Sequence, residues 1–426
     1  MNIPETQLPR IVVIGGGFAG ISLIKQLRKS KLQVVLFDKH NYHTFQPLLY
    51  QVSTAGLEPD SIAYPLRKIF RKHTHFHFRL ATVNYIDTEK KIVETSIGNL
   101  RFDYLVIATG TRTNFFGNKN IEENSMPMKT VPQALDMRSL ILQNIEAADI
   151  TDKPEERKRF LNFVIAGAGP TGVELAGALA EFRKGILKND YPNLNEADMC
   201  VHLIEGGDRV LGPMSEAASK KALKALQKLD VKVHLNTFVQ DYDGAIVTTK
   251  DGLAFQTATF IWAAGVTGAP VEGINGVSLI ARANRYLVDQ YNRIEGHPTL
   301  FALGDIALMK TKSYPNGHPQ VAQPAIQQGR NLGKNIKRML AGKKMLPFKY
   351  YDKGTLATIG RNKAVADIYK LHLGGAFAWF IWMFVHLYFL VGFRNRVVTF
   401  FNWTYNYINY DRAARLIIRP FKVKIK

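Results

Sequence analysis

The same local pattern is written into this chain twice, and it decides most of what the chain can fold into. A β-branched run, Ile11–Ile14, enters Gly15-Gly16-Gly17-Phe18-Ala19-Gly20. Apolar residues at helical spacing follow at Ile21, Leu23, Ile24 and Leu27, and a second run, Gln33–Phe37, closes on Asp38. Downstream, Phe163–Ala166 enters Gly167-Ala168-Gly169-Pro170-Thr171-Gly172, a helix runs through Leu175 and Leu179, and Val201–Ile204 closes on Glu205. Strand, glycine turn, helix, strand is a βαβ unit, which predicts parallel sheet covered by helices.

Both turns have the spacing G-x-G-x-x-G. The first glycine (Gly15, Gly167) permits the tight turn, the second (Gly17, Gly169) lets backbone approach a pyrophosphate, and the third (Gly20, Gly172) lets helix pack on strand. The helix start then offers unpaired N–H groups and a positive dipole end to phosphates. The acid that closes each second strand, Asp38 or Glu205, can accept hydrogen bonds from a ribose. Glu205 lies farther from its glycines because Glu181–Met199 inserts a charged, proline-containing excursion. Two dinucleotide sites in one chain imply electron transfer between them. Glu205 also favours NADH over NADPH, since a carboxylate repels a 2′-phosphate; nearby Arg209 weakens that argument.

Composition narrows the chemistry. A single cysteine, Cys200, excludes a dithiol redox centre and a cysteine-rich metal site within one chain. Electron delivery to a disulfide, or sulfide oxidation through paired cysteines, is excluded with it. The net charge of +21 fits nucleic acid, anionic lipid or phosphate-rich cofactors as partners. His73, His75 and His77 alternate as if along one strand face, but no carboxylate or cysteine accompanies them, so a basic strand edge is expected and no metal. The charged stretch Asp149–Lys158 reads as a linker or exposed turn.

At this point the chain resembles a family. RIVVIGGGFAGI, NYHTFQPLLYQVSTAGLEPDSIA after Asp38, VIATGT at Val106–Thr111, VIAGAGPTGVELAGALAE, TLFALGDIA at Thr299–Ala307, VAQPAIQQG at Val321–Gly329 and VGFRNRVVTFFNWTYNY follow, in order, the pattern of type II (non-proton-pumping) NADH dehydrogenases. These belong to the flavoproteins with two dinucleotide-binding domains. The resemblance implies an α/β fold with two Rossmann-like dinucleotide-binding domains and a C-terminal membrane-anchoring helical segment. It implies FAD at the first fingerprint, with Thr109, Gly110, Gly304, Asp305 and Ala322 contributing, and NADH at the second, with Gly265. The FAD domain is then split over residues 1–150 and 276–345 around an NADH domain at 151–275, leaving 346–426 for membrane attachment. Gln323 and Gln327 match the AQxAxQ pattern that the family places at its quinone pocket. On a helix, residues four apart share a face, and amides donate to carbonyls without titrating. Glu174, which by itself reads as a first-turn glutamate at a helix dipole, is implied to bind or relay a proton between nicotinamide and quinone. His43 and Phe45 are implied to flank the flavin.

The tail carries the remaining signal. Phe377–Phe393 is apolar apart from His386, and as one helix of about 25 Å it reaches only the lower limit for crossing a bilayer. Residues 394–426 hold eight Lys/Arg and one acid, Asp411, interleaved with Phe400, Phe401, Trp403, Tyr405, Tyr407 and Tyr410. This reads as a monotopic or peripheral anchor on anionic lipid at the cytoplasmic face of the cell membrane, rather than a span or a nucleic-acid site. The expectation is a membrane-associated flavoenzyme passing electrons from NADH through FAD to a quinone; a homodimer stays open. The alternatives are a reductase of another acceptor such as ferredoxin, or a slow redox-sensing flavoprotein scaffold.

Overall fold

The computed structural model describes residues 1–274, 279–280, 283–409 and 414–422. They form two compact units. The first is Met1–His43, Tyr64–Arg112 and Val266–Asp352; the second is Thr44–Ala63, Thr113–Gly265 and Lys353–Lys426.

In the first unit a parallel sheet has the order Leu300–Ala302, Tyr104–Ile107, Arg10–Ile14, Gln33–Asp38, Phe76–Leu80. The central strand aligns Ile11 with Val34 on one side and with Tyr104 on the other. Both faces of that strand are covered, which is why it reads as an unbroken apolar run. The helix Phe18–Leu27 packs against the long helix Ala322–Leu340. The approach depends on two glycines: a Cβ at Gly329 would lie 2.4 Å from the carbonyl oxygen of Ala19, and one at Gly333 would lie 2.5 Å from Gln26 Cβ.

The second unit repeats the plan with the order Met126–Pro127, Thr259–Trp262, Asn162–Ala166, Cys200–Ile204, Val231–His234. The helix Val131–Ile150 starts on a capping box in which Thr130 and Gln133 satisfy each other's backbone N–H groups. An antiparallel sheet of Thr355–Thr358, Ala364–Ile368 and Leu371–Gly374 leads into the tail helices Gly375–Phe389 and Phe393–Asn409.

Five expectations change. Residues 44–63 and 113–150 group with the second unit instead of the first, and the expected boundary at 275/276 lies outside the described residues. The charged stretch near 150 is the end of one helix, Val131–Ile150, and the start of the next, Pro154–Leu161, where Glu155 and Glu156 occupy the favourable first turn. His73 and His75 precede the strand Phe76–Leu80, and His75 has φ +56°, so the three histidines share no strand face. The apolar tail is two helices, because Gly392 turns the chain at φ +94°. The first spans about 22 Å against about 30 Å of hydrocarbon, and among the described residues no helix is long and apolar enough to cross a membrane.

Charge is the fifth. The tail arginines are engaged: Arg394 pairs with Asp60 at 3.1 Å, Arg415 with Asp190 at 2.9 Å, and Arg419 with Asp136. Tyr410, Asp411, Arg412, Lys424 and Lys426 lie outside the described residues. The excess sits in the first unit instead, where residues 10–37, 64–86 and 306–351 hold 19 Lys/Arg and no Asp/Glu.

Gly329→Ala drives a methyl group into backbone and is expected to lower stability by about 1–3 kcal/mol. Thermal unfolding measures this; an unchanged midpoint contradicts the packing described.

Candidate active site

The two fingerprints repeat down to individual hydrogen bonds. Gly15 N donates to Phe37 O and Gly167 N to Ile204 O, both at 2.8 Å. Gly15 has φ +107° and Gly167 φ +100°, and a Cβ would lie 2.4 Å from Ala108 O in the first and 2.6 Å from Ala263 O in the second. Gly20 and Gly172 press against the same loops, where a Cβ would come within 2.0 and 1.8 Å of the Gly15 and Gly167 carbonyl oxygens. The middle glycines differ from these: a Cβ at Gly17 or Gly169 would meet no described residue within 4 Å beyond its immediate chain neighbours. Sterics of the chain itself explain four of the six glycines; the other two face open space.

The closing acids lock the loops. Asp38 Oδ2 accepts from Gly16 N at 2.6 Å and Oδ1 from His40 N at 2.7 Å. Glu205 Oε2 accepts from Ala168 N at 2.6 Å and Oε1 from Gly207 N at 2.8 Å. Burial raises the Asp38 carboxyl, and these backbone donors offset part of that. Each carboxylate oxygen keeps a lone pair for a ribose hydroxyl.

The first unit fits a dinucleotide with polar atoms to spare. Thr109 Oγ1 is buried without a hydrogen-bond partner among the described residues, next to the turn that Gly15 meets; Gly110 follows at φ +70°. His43 Nδ1 donates to Gly16 O at 3.2 Å, leaving Nε2 as a buried, unpartnered acceptor, and burial holds the ring neutral at a pKa of about 4. Gly304 lies between Ala19 and Ala325 at φ +73°, bringing Gly304-Asp305 and the helix start at Ala322 to the glycine loop. Neither fingerprint helix has a capping side chain, so its first N–H groups remain for phosphate oxygens. Phe45 belongs to the second unit, where it packs edge-on against His386 at 6.0 Å. Gly265 O, also in the second unit, accepts from Asn114 N at 3.1 Å beside the exposed Phe116 ring.

Two glutamines that the sequence reading passed over hold this turn: Gln328 Oε1 accepts from Gly304 N at 2.7 Å, and Gln320 Nε2 donates to Asp305 O at 3.1 Å. Gln328 is the buried neighbour of Gln327; helical phase alone separates them. Gln323 is half-buried in the first turn of its helix. Gln327 is committed to main chain, donating to Tyr351 O at 2.8 Å and accepting from Tyr351 N at 3.0 Å, so of the expected pair of acceptor amides this one is already engaged.

Glu174, in the second unit, is buried in the wall of a cavity of about 340 Å³ that Tyr50, Gln51, Thr358, Trp379, Trp382 and Trp403 also line. Burial pushes its carboxyl up to about 8, and the only described backbone donor, Thr358 N, is 3.4 Å away. At neutral pH this is a protonated acid in an aromatic chamber.

Comparison with known proteins agrees with this architecture. The family of pyridine nucleotide-disulphide oxidoreductases matches residues 9–329, and the NDH2 C-terminal domain matches 352–409. Type II NADH:quinone oxidoreductase NdhA of Mycobacterium tuberculosis is 37% identical over 96% of this chain and 89% of its own length. Ndh of the same organism is 35% identical over 97% and 92%. The structure of NDH2 from Plasmodium falciparum in complex with NADH matches with a TM-score of 0.89 at 21% identity, over 97% of this chain and 100% of that one. The sulfide:quinone oxidoreductase of Aquifex aeolicus matches at 0.73 and 20%, over 91% and 92%. The two structural likenesses show the fold.

Two substitutions separate the glycine roles. Gly17→Val meets only open space, so the protein should fold but lose bound flavin, whereas Gly20→Ala should unfold at lower temperature. Full flavin occupancy in folded Gly17→Val contradicts the first site. Glu205→Ser removes a charge worth about 1–2 kcal/mol near a phosphate, shifting the NADH/NADPH kcat/KM ratio about ten-fold toward NADPH. No shift contradicts the role of Glu205.

Proposed function

Because the chain belongs to the type II NADH:quinone oxidoreductases, we propose how its own residues divide that reaction. Its cofactors are FAD and NADH, and the balance is NADH + H⁺ + quinone → NAD⁺ + quinol. FAD, when bound, supplies the two-electron carrier between donor and acceptor. The Gly15 loop, Thr109, Gly110, Gly304, Asp305 and Ala322 hold FAD in the first unit, and the Gly167 loop, Glu205 and Gly265 hold NADH in the second. What carries this reading is the doubled carboxylate-locked glycine loop in a chain with one cysteine. Two dinucleotides fit, and no dithiol is present to take the electrons.

The balance requires one proton from solvent. Glu174 suits that task, because its raised pKa keeps a proton available inside the cavity near neutral pH. Gln323 offers an amide to the acceptor, as the resemblance suggests, while Gln327 serves chiefly to hold residue 351.

The tail is proposed to lie in the surface of the membrane that supplies the quinone, on its cytoplasmic face. Its two helices are split by side. Trp382, Asn395, Thr399 and Trp403 are buried, whereas Phe377 and Phe384 are 65% and 70% exposed and Phe393 and Phe401 are 81% and 64% exposed. Asn395 anchors the inner side by donating to Asp60 O at 2.9 Å and Ala63 O at 3.0 Å. Apolar area is then the main attraction to lipid, since the described tail arginines 394, 415 and 419 already have carboxylate partners.

The purified holoenzyme should form one quinol per NADH and leave ferredoxin oxidised; ferredoxin reduction at a comparable rate favours the protein-acceptor alternative. Exposed positions give a cleaner attachment test than truncation, which would also remove Trp382 and Trp403 from the second unit. Phe377→Glu, Phe384→Glu and Phe401→Glu together remove roughly 2 kcal/mol of burial each, so vesicle binding should fall well over about 100-fold. Undiminished binding places the attachment elsewhere.

A further inference from the structure

The cavity around Glu174 contains a buried hydrogen-bond donor, the indole of Trp382. Trp382 is 1% exposed, and its indole N–H has no hydrogen-bond partner among the described residues. An indole nitrogen only donates, and a buried donor without a partner costs on the order of 1–3 kcal/mol. It points at the Glu174 carboxyl, whose pKa it lowers against the effect of burial, but without the geometry of a bond. At neutral pH that carboxyl is itself a donor.

A second hydroxyl sits at the end of a chain of bonds that starts at Trp403. Trp403 Nε1 donates to Gln51 Oε1 at 2.7 Å, which turns the Gln51 amide nitrogen toward Tyr50; that nitrogen donates to Tyr50 Oη at 2.9 Å. Tyr50 Oη, an acceptor from Gln51, also lies 3.0 Å from Thr358 Oγ1, and either hydroxyl can be the donor in that bond. Burial raises the Tyr50 pKa far above its ordinary value, so the phenol keeps its proton. When Tyr50 donates, Thr358 has its hydroxyl proton left to give, on the same residue whose backbone N–H faces Glu174.

A chamber walled by indole rings and supplied with donors selects a flat, conjugated molecule whose polar atoms accept. We infer that the indole N–H of Trp382 and the hydroxyl of Thr358, the latter oriented by Tyr50, hold a carbonyl oxygen of the quinone beside the carboxyl of Glu174. Trp382 and Thr358 touch the substrate, and Tyr50, Gln51 and Trp403 are positioning residues that act through Thr358. The inference rests on the quinone reading above and deepens it.

The pH dependence follows from the groups that face this one. His386 stacks on Trp382 at 4.1 Å and is neutral, its pKa held near 4 by burial. Glu181, Lys184 and Arg361 line the same cavity, and Glu181 accepts from the Arg361 backbone N–H. Below about pH 8 Glu174 is protonated and its carbonyl oxygen competes only weakly with the quinone for the Trp382 N–H; above it, the carboxylate forms and captures that N–H. Quinone KM should therefore be flat up to about pH 8 and rise beyond it, and Glu174→Gln should abolish the rise.

Three of the four tryptophans line the cavity, so quinone binding can be read directly as quenching of their fluorescence in the oxidised holoenzyme. With menadione as probe, Trp382→Phe and Thr358→Val should each raise both Kd and KM about ten-fold, with NADH KM moving less than about two-fold. Tyr50→Phe should do so by a smaller factor, and Thr358→Ser should restore binding. If wild type neither binds nor reduces menadione, the quinone reading itself fails. If wild type turns over normally and Kd stays unchanged in Thr358→Val and Trp382→Phe, or if quinone and NADH KM rise together, this inference alone is overturned.

Discussion

A carboxylate clamped to the glycine loop that precedes it is the constraint on which both nucleotide sites depend. Asp38 grips Gly16 N, and Glu205 grips Ala168 N, each at 2.6 Å. The bond ties the end of the second strand to the turn after the first. It thereby fixes where the fingerprint helix begins and how far backbone can advance toward a pyrophosphate. Charge-assisted bonds of this kind are among the stronger polar contacts a fold can make. Once they are set, the first and third glycines of each loop are dictated by backbone contact within the chain. The middle glycine alone remains for the ligand.

How much of this can be read in the sequence depends on how far apart the partners are. The βαβ units are local, so strands, turn, helix and acid lie within a few dozen residues, and periodicity reveals them. The cavity around Glu174 is not local: Tyr50, Glu174 and the stretch that carries Thr358, Trp382 and Trp403 lie more than a hundred residues apart. Nothing in their spacing announces that they meet. Helical phase explains a smaller miss, since Gln327 and Gln328 are adjacent and only the fold shows that Gln328 is the buried one holding Gly304. The tail misleads for a different reason. Its arginines look free in sequence, yet their carboxylates lie hundreds of residues away at Asp60, Asp136 and Asp190.

On the proposed reading, the second unit joins the two tasks that a lipid-soluble acceptor imposes. The helices Gly375–Phe389 and Phe393–Asn409 turn aromatic side chains outward and place Trp382 and Trp403 inward. Their outer sides offer apolar area, and their inner sides supply the walls and orienting donors of the chamber. The buried acid there stays protonated because burial disfavours its charge. On the proposed reading, attachment and chemistry share the same helices, so removing the tail would damage both.

The central claim is that this chain carries electrons from NADH to a quinone through a bound flavin. The most direct measurement mixes the oxidised holoenzyme with one equivalent of NADH in the absence of oxygen, follows flavin absorbance, and then adds quinone. The account predicts rapid bleaching, a stable reduced state, and full recovery of colour on quinone addition with quinol formed in equal amount. Bleaching that quinone does not reverse, or recovery only with a protein acceptor, would contradict it.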